Sequence, residues 1–290
     1  MKYAFIEEHR PMWRLRTLCR TLSVSKSGYF CWREGREPPR RSADRALGVK
    51  IKAIHAESGE IYGSPRIHQE LKARGETINR KRVERIMRRE GISVKPRQRF
   101  VVTTDSDHDM PIAPNLLEQE FTAEAPNQKW VSDITYIPTG EGWLFLAGTI
   151  DLFSRKVVGW AMDQRMDRGL VLKALDMAIQ DRVPAPGLIH HSDRGSQYAS
   201  SDFRNALADA GMVASMSRKA CCYDNAVVES FWHSLKVELV HRRQFATRAE
   251  ATTAIVAYIA GFYNRVRRHS TLGYLSPEAF EQAERTKQAA

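Results

Sequence analysis

Apolar positions change their period along the chain. Ahead of residue 94 they recur every three to four residues, and beyond residue 128 they fall into short runs separated by Gly- and Ser-containing turns. In the first part, Trp13, Leu15, Leu18 and Cys19 have helical spacing, and Leu22-Ser23-Val24 turns. Ser25 then caps a second short helix through Tyr29 and Trp32. This pattern predicts a helix-turn-helix-like segment over residues 1–37, with Pro38-Pro39-Arg40-Arg41 as a linker. Leu47, Ile51 and Ile54 form the stripe of a further helix ended by Gly59. Ser64 as N-cap and Pro65 at the first helical position open the next one, through Ile67 and Leu71. Residues 79–90 predict a third helix, with Val83, Ile86 and Met87 inward and Gly91 as its stop. Residues 42–93 thus read as a second helix-turn-helix unit, and residues 94–126, punctuated by proline and without a clear period, as a linker.

Residues 127–290 form the other domain. Residues 131–137, 143–150 and 156–162 are successive β-rich runs that predict a three-stranded meander. A helix over 170–179, a short strand over 188–191, a helix over 201–210, a strand over 213–216 and a strong helix over 225–240 follow. One more helix is expected over 248–264. The order describes an α/β fold, a mixed sheet flanked by helices, preceded by all-α helix-turn-helix units.

Charge sharpens this division. Residues 1–100 carry 25 Lys and Arg against 11 Asp and Glu, while the remainder carries 20 against 23. A basic module joined to a slightly acidic one is the electrostatic footprint of a nucleic-acid-binding part attached to something else. On the helix over 79–90, Arg82, Arg85 and Arg89 line one side, and with Arg80 and Lys81 they are the expected DNA contacts. A solvated charged face is the plainer alternative. The longest apolar run, residues 143–150, is far short of the ~20 residues that span a bilayer, and two early acids occupy the place of a signal peptide's apolar region. A cytoplasmic protein without a membrane partner is expected. Cys19, Cys31, Cys221 and Cys222 have no metal-site spacing and read as reduced thiols.

Three acids stand in unusual places. Asp133 interrupts an apolar strand, Asp193 directly follows the strand over 188–191, and Glu229 lies in the helix over 225–240. A carboxylate in a buried strand costs several kcal/mol unless it is paired or metal-bound. Two aspartates at strand ends with a glutamate on a crossing helix can hold two Mg²⁺ ions. On that helix Asn225, Glu229, His233 and Lys236 share one stripe, beside the apolar stripe of Val228, Trp232, Leu235 and Leu239. Asp151 reads as a structural turn acid and otherwise as the replacement ligand, while His190 and His191 are expected to orient the loop.

Here the motifs become specific. Trp130-Val-Ser-Asp133-Ile-Thr-Tyr-Ile, His191-Ser-Asp193-Arg-Gly-Ser-Gln-Tyr and Asp224-Asn-Ala-Val-Val-Glu229-Ser-Phe-Trp-His-Ser-Leu-Lys236 resemble the three motifs of bacterial insertion-sequence transposases with a retroviral-integrase-like core. Thirty-five residues separate the last two acids, the family's typical spacing. Tyr62-Gly-Ser-Pro-Arg-Ile and the tail with Tyr263, Asn264, His269, Leu272 and Pro277 extend the resemblance over nearly the whole chain. The resemblance implies an RNase H-like core in which Asp133, Asp193 and Glu229 are catalytic and carry two Mg²⁺ ions, Mn²⁺ being a substitute. It implies DNA as partner, at element ends and target, with Asn225 and Lys236 at the DNA. It also implies a homo-oligomer in the DNA complex and a second-reading-frame product working with an upstream-frame product. Lys219-Ala-Cys-Cys-Tyr departs from the family, which has a glycine there. Two rivals remain: a regulator with an inactive core, and a tyrosine recombinase using His191, Arg194 and either Tyr198 or Tyr223.

Overall fold

A computed structural model describes residues 1–94, 110–218 and 222–289, without the side chains of Cys222 and Tyr223. The chain forms two compact units, Met1–Pro96 and Arg97–Ala290. The segment 219–221, with Cys221, and residues 95–109 of the expected linker lie outside the described residues.

The first unit is all helical. Helices α1 (Lys2–His9), α2 (Leu15–Thr21) and α3 (Lys26–Arg33) enclose Ile6, Leu18, Cys19 and Tyr29. Ser25 caps α3 as expected, its hydroxyl accepting from the Gly28 amide at 3.0 Å. Helix α1 leaves no mark in the apolar pattern, because it buries a single residue, Ile6, and has no side-chain cap. Helices α4 (Pro39–Glu57), α5 (Ser64–Ala73) and α6 (Arg80–Arg89) pack together over Ile51, Ile54, Ile67, Leu71, Val83 and Ile86. Two expectations are corrected here. Residues 39–41 belong to α4 rather than to a linker, since proline is well tolerated in a helix's first turn. Gly63, not Ser64, caps α5, because its carbonyl accepts the first helical bond, from Ile67 at 3.1 Å.

The second unit is built on a five-stranded sheet in the order β3-β2-β1-β4-β5. Strands β1 (Lys129–Thr139), β2 (Gly142–Asp151) and β3 (Val157–Asp163) form the predicted antiparallel meander. Strands β4 (Ile189–Ser192) and β5 (Val213–Met216) run parallel to β1. Helices α7 (Arg168–Arg182), α8 (Ser196–Ala199) and α9 (Ser201–Asp209) pack on one face with Trp130, Ala147 and Val158. Gly159 admits α7, since a Cβ there would stand 2.2 Å from the Ala174 carbonyl oxygen.

Helices α10 (Ala226–Glu238) and α11 (Arg248–Val256) cover the other face, where Val131, Ile137, Leu146 and Ile150 meet Val228, Phe231, Trp232 and Leu235. The helix expected over 248–264 changes to a wider π turn over Ala257–Tyr263. Asn264 beyond it clasps β3, its amide accepting from Val157 N at 3.0 Å and donating to Val157 O at 2.9 Å. Helix α12 (Pro277–Gln288) ends the described chain. Residues 110–126, expected as linker, lie against the sheet's helical layers, with Leu117 buried and Phe121 and Ala123 packed on the core. No described helix is long and apolar enough to cross a membrane.

Candidate active site

Sheet register brings two of the three acids together. Ser132 pairs with Ser192 at the end of the parallel β1–β4 ladder, so Asp133 and Asp193 are the next residues along these two neighbouring segments. Asp193 Oδ1 accepts from the Gly195 amide at 2.9 Å, which fixes the turn into α8. Asp133 Oδ2 accepts from the indole Nε1 of Trp232 at 2.9 Å. Helix α10 approaches the same strand, Asn225 Nδ2 donating to the Ser132 carbonyl at 3.2 Å, and Glu229 follows one turn later.

Electrostatics report this convergence. Burial, then the charge of Asp193, pushes the Asp133 carboxyl well above its usual range, with a further contribution from Glu229. Trp232 and the Ile134 amide pull the other way without prevailing. Glu229 is exposed as a residue, yet partial cover of its carboxyl raises its pKa. Among the described residues no three His, Cys, Asp or Glu side chains stand close enough to hold a metal ion. The trio therefore converges without closing. The donor set nonetheless suits a hard divalent cation, being carboxylate oxygens whose mutual repulsion a cation relieves.

The neighbouring groups are structural. His190 is buried, with Nε2 at 2.8 Å from Ser132 Oγ, which in turn lies 2.8 Å from Thr149 Oγ1. His191 has both ring nitrogens engaged, Nδ1 by Ser215 Oγ at 2.8 Å and Nε2 by Ser217 Oγ at 3.1 Å. Burial lowers His190 to about 3 and His191 to about 4, so both are neutral at physiological pH. These contacts join β4 to β1 and to the end of β5, while His190 Nδ1 is buried with no hydrogen-bond partner among the described residues. Asp151 is fully buried on Arg182 and the amides of Asn127 and Phe153, a structural acid. Asp224, which opens the third motif, is fully buried and gathers Asn115, Gln119 and Arg218 at the entry to α10.

Several residues expected on DNA have partners within the protein. Asn225 is buried against β1, and its Oδ1 has no hydrogen-bond partner among the described residues. Lys236 is only 8% exposed, its ammonium 4.8 Å from the centre of the Tyr136 ring. Burial lowers its pKa, while the charge of Asp133 opposes that shift. In the helical unit, Arg82 Nε and Arg85 Nη2 bind the buried Asp44 carboxylate at 2.7 and 2.9 Å, and Arg89 Nη2 reaches the Asp44 carbonyl at 3.3 Å. Burial opposes ionisation of Asp44, but the hydrogen bond and charge of Arg82, with the charges of Arg85 and Arg89, win and hold it below its usual range. Arg80 pairs with Glu84 at 3.1 Å, and Lys81 is exposed.

Residues 42–100 match a family described as an HTH-like domain, and residues 123–222 and 229–284 match families described as integrase core domains. The chain is 44% identical over 283 residues to the transposase InsF for insertion sequence IS3A of Escherichia coli (strain K12), covering 97% of this chain and 98% of that one. It is 45% identical over 265 residues to an uncharacterized 31 kDa protein of insertion element IS600 from Shigella sonnei, covering 91% and 97%. Among solved structures, the simian T-cell lymphotropic virus intasome in complex with PP2A regulatory subunit B56 gamma aligns with a TM-score of 0.47 at 16% identity, over 80% of this chain and 74% of that chain. The HTLV-2 integrase catalytic core domain in complex with magnesium, in its dimeric form, aligns with a TM-score of 0.41 at 16% identity, over 55% and 98%. The mixed sheet with its flanking helices is the RNase H-like integrase core, and the chain belongs to the IS3-type family of insertion-sequence transposases.

Proposed function

We propose that this chain moves an insertion sequence by metal-dependent cleavage of DNA at the element's ends and transfer of the cut strands to a target. The observation that carries this reading is the placement of Asp133 and Asp193 side by side at the end of the β1–β4 ladder, with Glu229 on the helix tied to that strand. Asp133, Asp193 and Glu229 would hold two Mg²⁺ ions, for which Mn²⁺ can substitute. When bound, such ions activate a water or a DNA 3′-hydroxyl and stabilise the leaving oxygen of an in-line displacement. The chain's own groups hold the carboxylates in place: Gly195 N on Asp193, the indole of Trp232 on Asp133, and Asn225 between α10 and β1. Moving an element requires two DNA ends to meet, so the working complex contains at least two copies.

Incubation of the full chain with Mg²⁺ and a labelled end-containing duplex is expected to yield cut strands. Binding without cleavage favours the regulator reading. The recombinase reading through Tyr198 is disfavoured by that residue's 2% exposure and ring packing against Phe203, which withhold it from a phosphate, while the side chain of Tyr223 lies outside the described residues.

The helical unit supplies DNA binding in this proposal, through Arg80, Lys81, Arg82, Arg85 and Arg89. The Asp44 clamp gives three of these arginines a second role, because their removal leaves a buried carboxylate without its cations. Replacing Arg82, Arg85 and Arg89 by alanine in an Asp44→Asn background separates the roles. Weaker DNA binding is expected, with a salt dependence shallower by about one unit of slope per lost phosphate contact and a melting temperature close to that of Asp44→Asn alone. An unchanged slope assigns the row to the fold.

A further inference from the structure

We propose that Trp232 is a positioning residue for Asp133 and that Gly148 is the seat that admits its indole. The inference rests on the reading of Asp133 as a cation ligand. Trp232 lies three residues beyond Glu229, so one helix carries a candidate ligand and the donor that grips another. Its indole is 2% exposed and its N–H goes to the Asp133 carboxylate rather than to a neutral acceptor. Core packing alone does not require that partner. Trp130, also fully buried in this unit, has an indole N–H with no hydrogen-bond partner among the described residues.

The strand beside Asp133 is shaped for the same ring. Asp133 pairs with Gly148 across the β1–β2 ladder. A Cβ at Gly148 would stand 2.7 Å from Trp232 Cη2 and 3.3 Å from Cζ2. The first distance is shorter than side chains tolerate, so any larger residue displaces the indole or the strand. Gly148 is therefore explained by the space the ring needs, not by backbone conformation.

A carboxylate gripped through one oxygen keeps one rotamer and presents the other oxygen in a fixed orientation. That matters most at a site whose acids converge without closing, since each degree of freedom left in a ligand must be lost when a cation binds. Helix α10 is thereby tied to β1 at two points, Asn225 on the Ser132 carbonyl and Trp232 on Asp133, with Glu229 between them in sequence.

The test is direct titration of Mn²⁺ into the full-length protein by calorimetry, below the melting temperature and without DNA. Wild type, Trp232→Phe, Gly148→Ala and Asp133→Asn are compared, each with a melting curve in the absence of metal. Trp232→Phe keeps an aromatic ring and deletes the donor, and it is expected to weaken Mn²⁺ binding by about 10–100-fold in protein that remains folded. Gly148→Ala keeps the donor but dislodges it, and should weaken binding in the same direction. If Trp232→Phe melts too low to titrate, Gly148→Ala decides alone. Mn²⁺ affinity within twofold of wild type in the folded variant, with Asp133→Asn unable to bind, makes Trp232 a packing residue and overturns the proposal. Asp133→Asn binding Mn²⁺ as tightly as wild type, or no binding by wild type, instead overturns the ligand reading on which it rests.

Discussion

Asp133→Asn, Asp193→Asn and Glu229→Gln are each expected to abolish Mg²⁺-dependent cleavage and strand transfer while leaving fold and DNA binding in place. Each change keeps the side chain's shape and removes one charge from the set that would balance the cations. Metal stabilisation of the displacement is worth several kcal/mol, and each 1.4 kcal/mol is tenfold in rate, so losses of at least about 10²–10³-fold follow. Asp133→Asn should also raise the melting temperature of metal-free protein at neutral pH. Its folded-state pKa lies well above the ordinary 3.8, through burial and then the charge of Asp193. The folded state therefore binds this proton more tightly than the unfolded chain. The destabilisation is absent below the unfolded value, grows as pH rises from about 4, and levels off once pH passes the raised folded-state pKa. A wild-type melting temperature that falls over that interval, flattened in Asp133→Asn, is the signature to measure. Substantial cleavage by any one folded variant would falsify the role given to that residue.

Local pattern made much of this molecule legible. Alternation and turn residues marked β1, β2 and β3, the run at 213–216 was β5, and Asp133 stood out as a charge in an apolar strand. What remained hidden depends on partners far away in sequence. The arginine row on α6 looked like a free basic face, yet Asp44 on α4 collects it across about forty residues. Lys236 shared a stripe with Glu229, but stripe membership does not reveal that Tyr136 of β1 covers its ammonium. Trp232 falls on the apolar stripe and reads as core, which is true of its ring and not of its N–H. Helical periodicity sorts side chains by face. It cannot say which polar atom at the edge of that face meets an acid on another strand.

The same distinction separates Asp151 from the trio proposed as catalytic, and Arg182→Ala is the variant that exposes it. Arg182 lies between two buried acids, Nη2 at 3.2 Å from Asp151 Oδ2 and 2.8 Å from Glu281 Oε1, with Nη1 2.9 Å from Glu281 Oε2. Ser154 Oγ donates to Glu281 at 2.7 Å, and Arg182 Nε donates to Asn127 Oδ1 at 2.9 Å, so the cluster ties α7 and α12 to the end of β2. Burial raises the Asp151 pKa despite the amides of Asn127 and Phe153 and the charge of Arg182. Burial also acts on Glu281, but the hydrogen bonds of Arg182 and Ser154 outweigh it and hold that carboxyl below its usual range. Without the guanidinium, two carboxylates are left buried together, and the ion-pair partner that remains to them among the described residues is the exposed Arg285, 3.8 Å from Glu281 Oε2. Breaking such a pair by removing one partner costs about 3–5 kcal/mol, equivalent to roughly 6–20 °C of melting temperature in a domain of this size. The loss should shrink as pH falls through the carboxylate range, because protonation then removes the uncompensated charge. Cleavage per folded molecule, measured below the variant's melting temperature, should stay at the wild-type level. An Arg182→Ala protein that melts like wild type at neutral pH yet fails to cleave DNA would move Asp151 from the fold to the reaction.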